Sequence, residues 1–515
     1  MYKLRVSPDI LENRLDCGFY NPVGLEYTEL LRTNSELMPL SDLVDPDRKI
    51  TNGVRGPDWQ VSKYKLIRLQ DCDNWIVNHE EAGSISLMQF EENKRCRLKV
   101  NDVVVAIGGY VGNAAVLTED CFAVIGQHSA VLPEPEKRGI DSRYLLAYLN
   151  SKVAEGIFSR YVSGTVQAGI NLEDLRVLPA PVIDLVAQKY IGDKVRQAEQ
   201  LRAWAKVAEM TAKELFDGCV DWSSEVLNVG KINKVSVSEL DGRLDLKYNS
   251  PARLALLRHI KNKEIKTTYL NGLVDISAMI GWKGLTTEHY TSSGPWLLRG
   301  VEFRDGVIEF EKLVSVDLDK YLEQPQIHLK EGDIAFSKDG TIGKAIVIPE
   351  LSNDMAAGST IARLRPKKSL EINPYYLELA LNHDFVQVQV ESFATGIAQP
   401  HITQEWIAQL VIPRVKDEES IGESLKLHHL ANNHSKKLIQ AAKTLVEALI
   451  EGQLTEQQLI QAHQALDDGD NSLDQAILSK LSSEGYALEG AAPLFSDIDE
   501  LYSLLENAAQ AEAEE

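Results

Sequence analysis

Two stretches of this chain carry the same ordered series of residues 229 to 232 positions apart, so the plan that one adopts must serve the other. The opening Arg14-Leu15-Asp16-Cys17-Gly18-Phe19-Tyr20-Asn21-Pro22 returns as Arg243-Leu244-Asp245-Leu246-Lys247-Tyr248-Asn249-Ser250-Pro251. Leu98-Lys99-Val100-Asn101-Asp102-Val103-Val104-Val105 returns as Leu329-Lys330-Glu331-Gly332-Asp333-Ile334-Ala335-Phe336, and Gly109 and Gly112 return as Gly340 and Gly343. Tyr144-Leu145, Asn150, Gly164, Gln167, Ile170, Glu173 and Pro181 return as Tyr376-Leu377, Asn382, Gly396, Gln399, Ile402, Glu405 and Pro413. An ordered series at nearly constant offset is a duplication.

Each copy reads as mixed α/β. Residues 98–117 and 329–348 are β-rich runs broken by a glycine turn. Residues 142–150 and 374–382 read as short helices, the second entered through Asn373-Pro374, a cap followed by proline in the first turn. A glycine-containing loop (163–169 and 395–401) leads to a short apolar strand ending at proline. After the first copy, Ile191, Val195, Ala198, Leu201, Ala205, Ala208, Ala212 and Leu215 recur at spacings of three and four, a heptad-like seam ended by Gly218. After the second copy, a seam runs from Ile421 through Leu425, Leu438, Ala441, Leu445 and Leu449 to Gly452, interrupted by Asn432, Asn433 and His434. The expected fold is α+β: two tandem α/β modules (1–186 and 223–417), each followed by a long helix (187–222 and 418–452), and a helical extension (453–515). The simplest arrangement for the helices is an antiparallel coiled coil.

The net charge of −22 argues against a nucleic-acid partner, but its distribution weakens the objection. Residues 453–515 hold fourteen Asp and Glu against one Lys, a net of −13, so the remainder carries −22 + 13 = −9. The extension reads as short helices over 455–466, 471–481 and 497–508, with apolar positions such as Leu473, Ile477, Leu481, Leu501, Leu504 and Leu505 that suit docking. The five cysteines form no C-x-x-C pair, which points away from disulfide frameworks and zinc knots and toward a reducing cytoplasm. No signal peptide and no membrane span is read from the sequence.

The order of these features resembles the specificity subunits of type I restriction-modification systems. Three elements carry the likeness: the Arg-Leu-Asp…Tyr…Pro opening of each copy, the Gly-x-x-Gln…Ile loop (164–170 and 396–402), and the Leu-Pro-x-Pro strand leading to Gln188 and Ile191. The resemblance covers about residues 10–452; the extension has no counterpart in the family pattern. It implies two target-recognition domains, helices that pair as a spacer, double-stranded DNA as ligand, docking of two methyltransferase subunits that bring the methyl donor, and, as a further partner, a nuclease-translocase subunit. No catalytic residue, metal or cofactor of the chain's own is implied.

The residues agree that catalytic signatures are incomplete. Asn373-Pro374-Tyr375-Tyr376 lacks the second proline of an adenine-methyltransferase loop and reads as a helix cap. Gly340-Thr341-Ile342-Gly343-Lys344 lacks the spacing of a phosphate loop and reads as a turn. His128-Ser129 has no acid at triad spacing, and His428, His429, His434 and His463 read as residues of a solvated helix face.

DNA-contact candidates are better supported. The first copy offers Lys49, Arg55, Lys63, Lys65 and Arg68, interleaved with Trp59 and Tyr64. The second offers Lys283 and Arg299 among Trp282, Tyr290 and Trp296. Lysine and arginine neutralise phosphates; arginine, glutamine and asparagine pair with base edges. The glycine turns add Tyr110 and Asn113 in one copy and Lys338, Thr341 and Lys344 in the other. Gln127, Thr165 and Gln167, with Gln399 and His401, complete the set. The scaffold repeats while the tips differ, as two modules reading different half-sites require. The first seam, about 28 residues long, corresponds to about 42 Å of helix, or on the order of twelve base pairs, so a target with an unspecified central gap is expected. A different class of function competes: a protein-interaction scaffold in which the acidic extension mimics DNA or docks an effector. If the extension merely repels phosphate, truncation after Gly452 strengthens low-salt binding to random duplex.

Overall fold

The computed structural model describes residues 11, 14 and 16–514, except 165–167, 231–234, 238–243, 280–284, 286, 305, 371 and 397–398. These form two compact units, Met1–Arg202 with His434–Glu515, and Ala203–Asn433.

In the first unit the central sheet has six strands, in the spatial order Thr51–Asn52, Ser129–Leu132, Val103–Ala106, Ala114–Val116, Ile76–Val77, Cys72–Asp73. Its middle strands are buried on both faces, which is why they read as unbroken apolar runs instead of alternating. In the second unit the corresponding sheet runs Val274–Ala278, Ile361–Pro366, Ile334–Ser337, Ala345–Val347. The register proves the duplication at the level of hydrogen bonds. Val103 pairs with Val116 as Ile334 pairs with Val347, and Val103 pairs with Leu132 as Ile334 pairs with Leu364. A second four-stranded sheet, built around Tyr290–Leu298, has its own core, and its parallel pairing of Leu297 with Ala356 returns in the first module as the two-stranded pairing of Leu66 with Val124.

The short helices form where expected, at Ser142–Leu149 and Pro374–Asn382. Asp141 caps the first by accepting from the Arg143 and Tyr144 amides; Asn373 caps the second by accepting from Tyr375. Each is tied to its sheet in the same way. Asn150 exchanges two bonds with Ala114, and Asn382 two with Ala345. The Tyr144 hydroxyl donates to the Pro181 carbonyl, and the Tyr376 hydroxyl to that of Pro413.

The two long helices, Leu185–Val220 and Glu418–Ile450, bury the seams that the spacing marks out, from Ile191 to Ala212 and from Ile421 to Leu445. They run antiparallel. In the first unit Ser435 Oγ donates to the Ala198 carbonyl; in the second, His428 Nδ1 bonds that of Ala205. Two details differ from the sequence expectation. The first helix continues through Gly218 to Val220, with Phe216 and not Leu215 in the core. The second is unbroken at Asn432–His434, because Asn432 bonds His428 along the helix and His434 is buried against the C-terminal extension.

The extension forms three helices, Glu456–Asp467, Ser472–Leu478 and Ile498–Glu514, built into the first unit. Asp474 is buried, accepting from Lys194 Nζ at 2.7 Å and from the Tyr190 and Tyr502 hydroxyls, both at 2.5 Å. Burial alone would raise the Asp474 pKa; the ammonium and the two hydroxyls outweigh it and hold the carboxyl below its ordinary value. Truncation after Gly452 would therefore strip a buried ion pair from the first unit, so it does not isolate an effect of charge on DNA.

His434 Nε2 faces Glu500 at 2.9 Å, yet desolvation lowers its pKa despite that carboxylate. A histidine with a lowered folded pKa stabilises fully above its unfolded value near 6.5 and loses that contribution as pH falls. Amide exchange in the first unit is expected to show stability falling between pH 7 and pH 5, by at most about 1.4 kcal/mol per pH unit from this group. His434→Gln should flatten that slope; an undiminished slope would place the titration elsewhere.

Candidate nucleic-acid interface

In both modules the structure joins two loops that lie far apart in sequence. In the first, the Gly109 amide donates to the Ala168 carbonyl and the Ile170 amide to that of Ile107, both at 3.0 Å, while Ser163 and Gly169 exchange backbone bonds. In the second, the Gly340 amide donates to the Pro400 carbonyl and the Ile402 amide to that of Lys338, again at 3.0 Å, while Thr395 and His401 exchange theirs. The glycine turn and the following loop thus make one tip per module. Gly112 and Gly343 close the turns at φ of 98° and 89°. A Cβ would meet the Phe158 ring at 3.0 Å in one and the end of the Gln387 side chain at 2.6 Å in the other, so conformation demands glycine at both and the ring crowds the first as well.

The side chains on these tips differ. The first exposes Tyr110, at 77%, with Asn113, Gln127 and His128 close by; Gln127 Nε2 lies 2.9 Å from His128 Nε2. On the second, Asp339 binds both Lys338 and His401, Thr341 and Gln399 are exposed, and Lys344 is half-buried. Thr165, Gln167 and Lys283 lie outside the described residues, as does Trp282.

In the first module the tip borders a cleft of about 870 Å³. Of the sequence candidates, Arg68, Tyr110, Asn113 and Gln127 line it; Lys49, Arg55, Lys63 and Lys65 do not. Arg68 pairs with Asp71 and lies over the Trp59 ring. The Lys65 ammonium donates to the carbonyls of Glu80 and Ala82, and Lys63 lies 4.5 Å from the centre of the Phe122 ring. Lys49 and Arg55 are exposed. In the second module Arg299 is occupied by the buried Glu302, and Trp296 packs against the module's second core.

Sequence reasoning missed part of this wall. Asn74 and Trp75 form a hairpin tip with φ of 45° and 70°, which turns Trp75 toward the cleft while its carbonyl binds the Val116 amide. Positive φ is uncommon for tryptophan, and such conformations concentrate at functional sites. The Asp73-Asn74 pair was the one available signal, since both residues favour turns. Gln440 and Lys443, from the second long helix, complete the wall and gave none.

A family model for the type I restriction modification DNA specificity domain matches residues 295–443. That span contains the second module's tip and most of the second long helix. Residues 295–443 are thus similar to the type I restriction-modification DNA specificity domain. The specificity subunit of the Escherichia coli type I restriction enzyme EcoBI is 27% identical over 171 residues, 33% of this chain and 35% of that one. The chain therefore matches about a third of the length of that curated relative. The type I S subunit from M. genitalium is similar over 82% of this chain and 96% of its own, at 13% identity and a TM-score of 0.42. The HsdS subunit from Thermoanaerobacter tengcongensis covers 82% and 97%, at 15% identity and a TM-score of 0.28. The first module lies outside the matched span and shares its hydrogen-bond plan with the second. The acidic extension also lies beyond that span.

Proposed function

We propose that this chain is the non-catalytic DNA-recognition subunit of a restriction-modification complex. It reads an asymmetric, two-part target in double-stranded DNA and positions two methyltransferase subunits there, with a nuclease-translocase subunit as further partner. One observation carries the reading: two tips of matching backbone geometry present different side chains, Tyr110 and Asn113 in one, Thr341 and Lys344 in the other. A shared scaffold with divergent tips suits two half-sites of different sequence, because base edges are read by side chains while backbone contacts carry no sequence information.

Selection of bound duplexes from a random pool tests this, using the chain with its co-purified subunits. The expected result is two short, different motifs separated by a gap of constant length. Enrichment of no motif, or of a single palindrome, would overturn it. The paired helices supply a second arm. Four residues added to each, between Ala198 and Ala212 and between Ile421 and Ser435, lengthen each helix by about 6 Å. The gap should widen by one or two base pairs with both motifs unchanged; full binding at the original spacing would refute a helical ruler.

A further inference from the structure

The cleft beside the first tip differs in charge from the rest of the molecule. Asp and Glu make up 76 of 515 residues, so a wall of 24 residues would carry about three or four by chance. Among the described lining residues there is none. Two long cations line the cleft, and Arg68 is held by Asp71. Lys443 is the other. It is half-buried on the second long helix and has no carboxylate partner among the described residues. One turn earlier on the same helix, Gln440 lines the cleft with its amide nitrogen donating to Thr444 Oγ1 at 3.1 Å. That bond fixes the amide plane. A half-buried ammonium with no neutralising partner, in a wall without carboxylates, suits an anion, and a duplex read by the adjoining tip brings phosphates to it.

We infer that the second long helix is part of the first module's DNA-reading surface. Lys443 binds a backbone phosphate of the first half-site and Gln440 faces its base edges, so that half-site is read jointly by the first module and by the helix that follows the second. This rests on the DNA-recognition reading above. It has a consequence for specificity: transplanting residues 1–186 into another chain transfers the half-site incompletely unless residues 434–450 travel with them.

The test uses the full chain with its co-purified subunits and the duplex selected by the wild type. Lys443→Ala should reduce the slope of log K against log salt by about 0.9, the loss of one phosphate contact. Lys443→Arg should restore it, which a merely structural role does not require. Gln440→Leu should relax selection at one or two positions of the first motif by about 5- to 150-fold, and leave the second motif unchanged. Unaltered slope in Lys443→Ala together with unaltered motifs in Gln440→Leu overturns the inference. Relaxation of both motifs equally does so too, because it would signal a general loss of packing. If the wild type itself selects no motif, the DNA-recognition reading fails instead, and the two failures are told apart by that control.

Discussion

Replacing Asp474 with alanine is expected to destabilise the first unit by about 3–5 kcal/mol, the range for breaking a buried ion pair from one side. Lys194 is only 2% exposed, so without Asp474 its ammonium keeps its desolvation penalty and loses its counter-charge. The Tyr190 and Tyr502 hydroxyls lose their acceptor in the same step. Amide exchange along Val103–Ala106, with a urea titration of the full chain, measures the effect. Replacing both partners, Lys194→Met with Asp474→Leu, should recover most of the loss, because an apolar pair removes the desolvated charge altogether. A loss below about 1 kcal/mol for Asp474→Ala would mean that water reaches Lys194 and that the extension is not held by this contact. The pH window separates this pair from His434. Asp474 has a lowered folded pKa, so its contribution is present above its unfolded value near 3.9 and is lost as pH falls through the folded one.

Exchanging the second tip for the first should remove one half of the target and spare the other. The substitutions are Asp339→Gly, Thr341→Tyr, Ile342→Val and Lys344→Asn, with Gly340 and Gly343 kept. The turn should close as before, since the bonds from Gly340 to Pro400 and from Gly343 to Ser337 are main-chain bonds with counterparts in the first module. What changes is the chemistry presented: the carboxylate that holds Lys338 and His401 disappears, and an amide replaces an ammonium. Removing a good base-reading pair costs about 1–3 kcal/mol, so removing two should lower affinity for the original duplex by about 2–6 kcal/mol. Motif selection should show the first half-site intact. A loss spread evenly over both half-sites would mean that the tips do not read independently.

The sequence by itself determined the duplication, and with it most of the scaffold. Gly112 and Gly343, the cap at Asn373, and the seams of the long helices were all legible, because each reports a local requirement: positive φ, orphan helix amides, one apolar face per turn. The family likeness was legible for the same reason, as an order of local signals. The tertiary structure decided how cationic side chains are spent. Lys65, Arg68 and Arg299 look alike in sequence to any phosphate-binding residue, yet two carbonyls, Asp71 and Glu302 occupy them. Lys443, more than 300 residues from the tip it joins, was invisible as a candidate until the chain folded. The extension changed meaning in the same way. Its charge was plain, but its attachment through Asp474 to Lys194 depends on residues 280 positions apart. The physical reason is common to all of these. Local conformational preferences are written in neighbouring residues, whereas the pairing of a charge depends on which distant group the fold brings within a few ångströms of it.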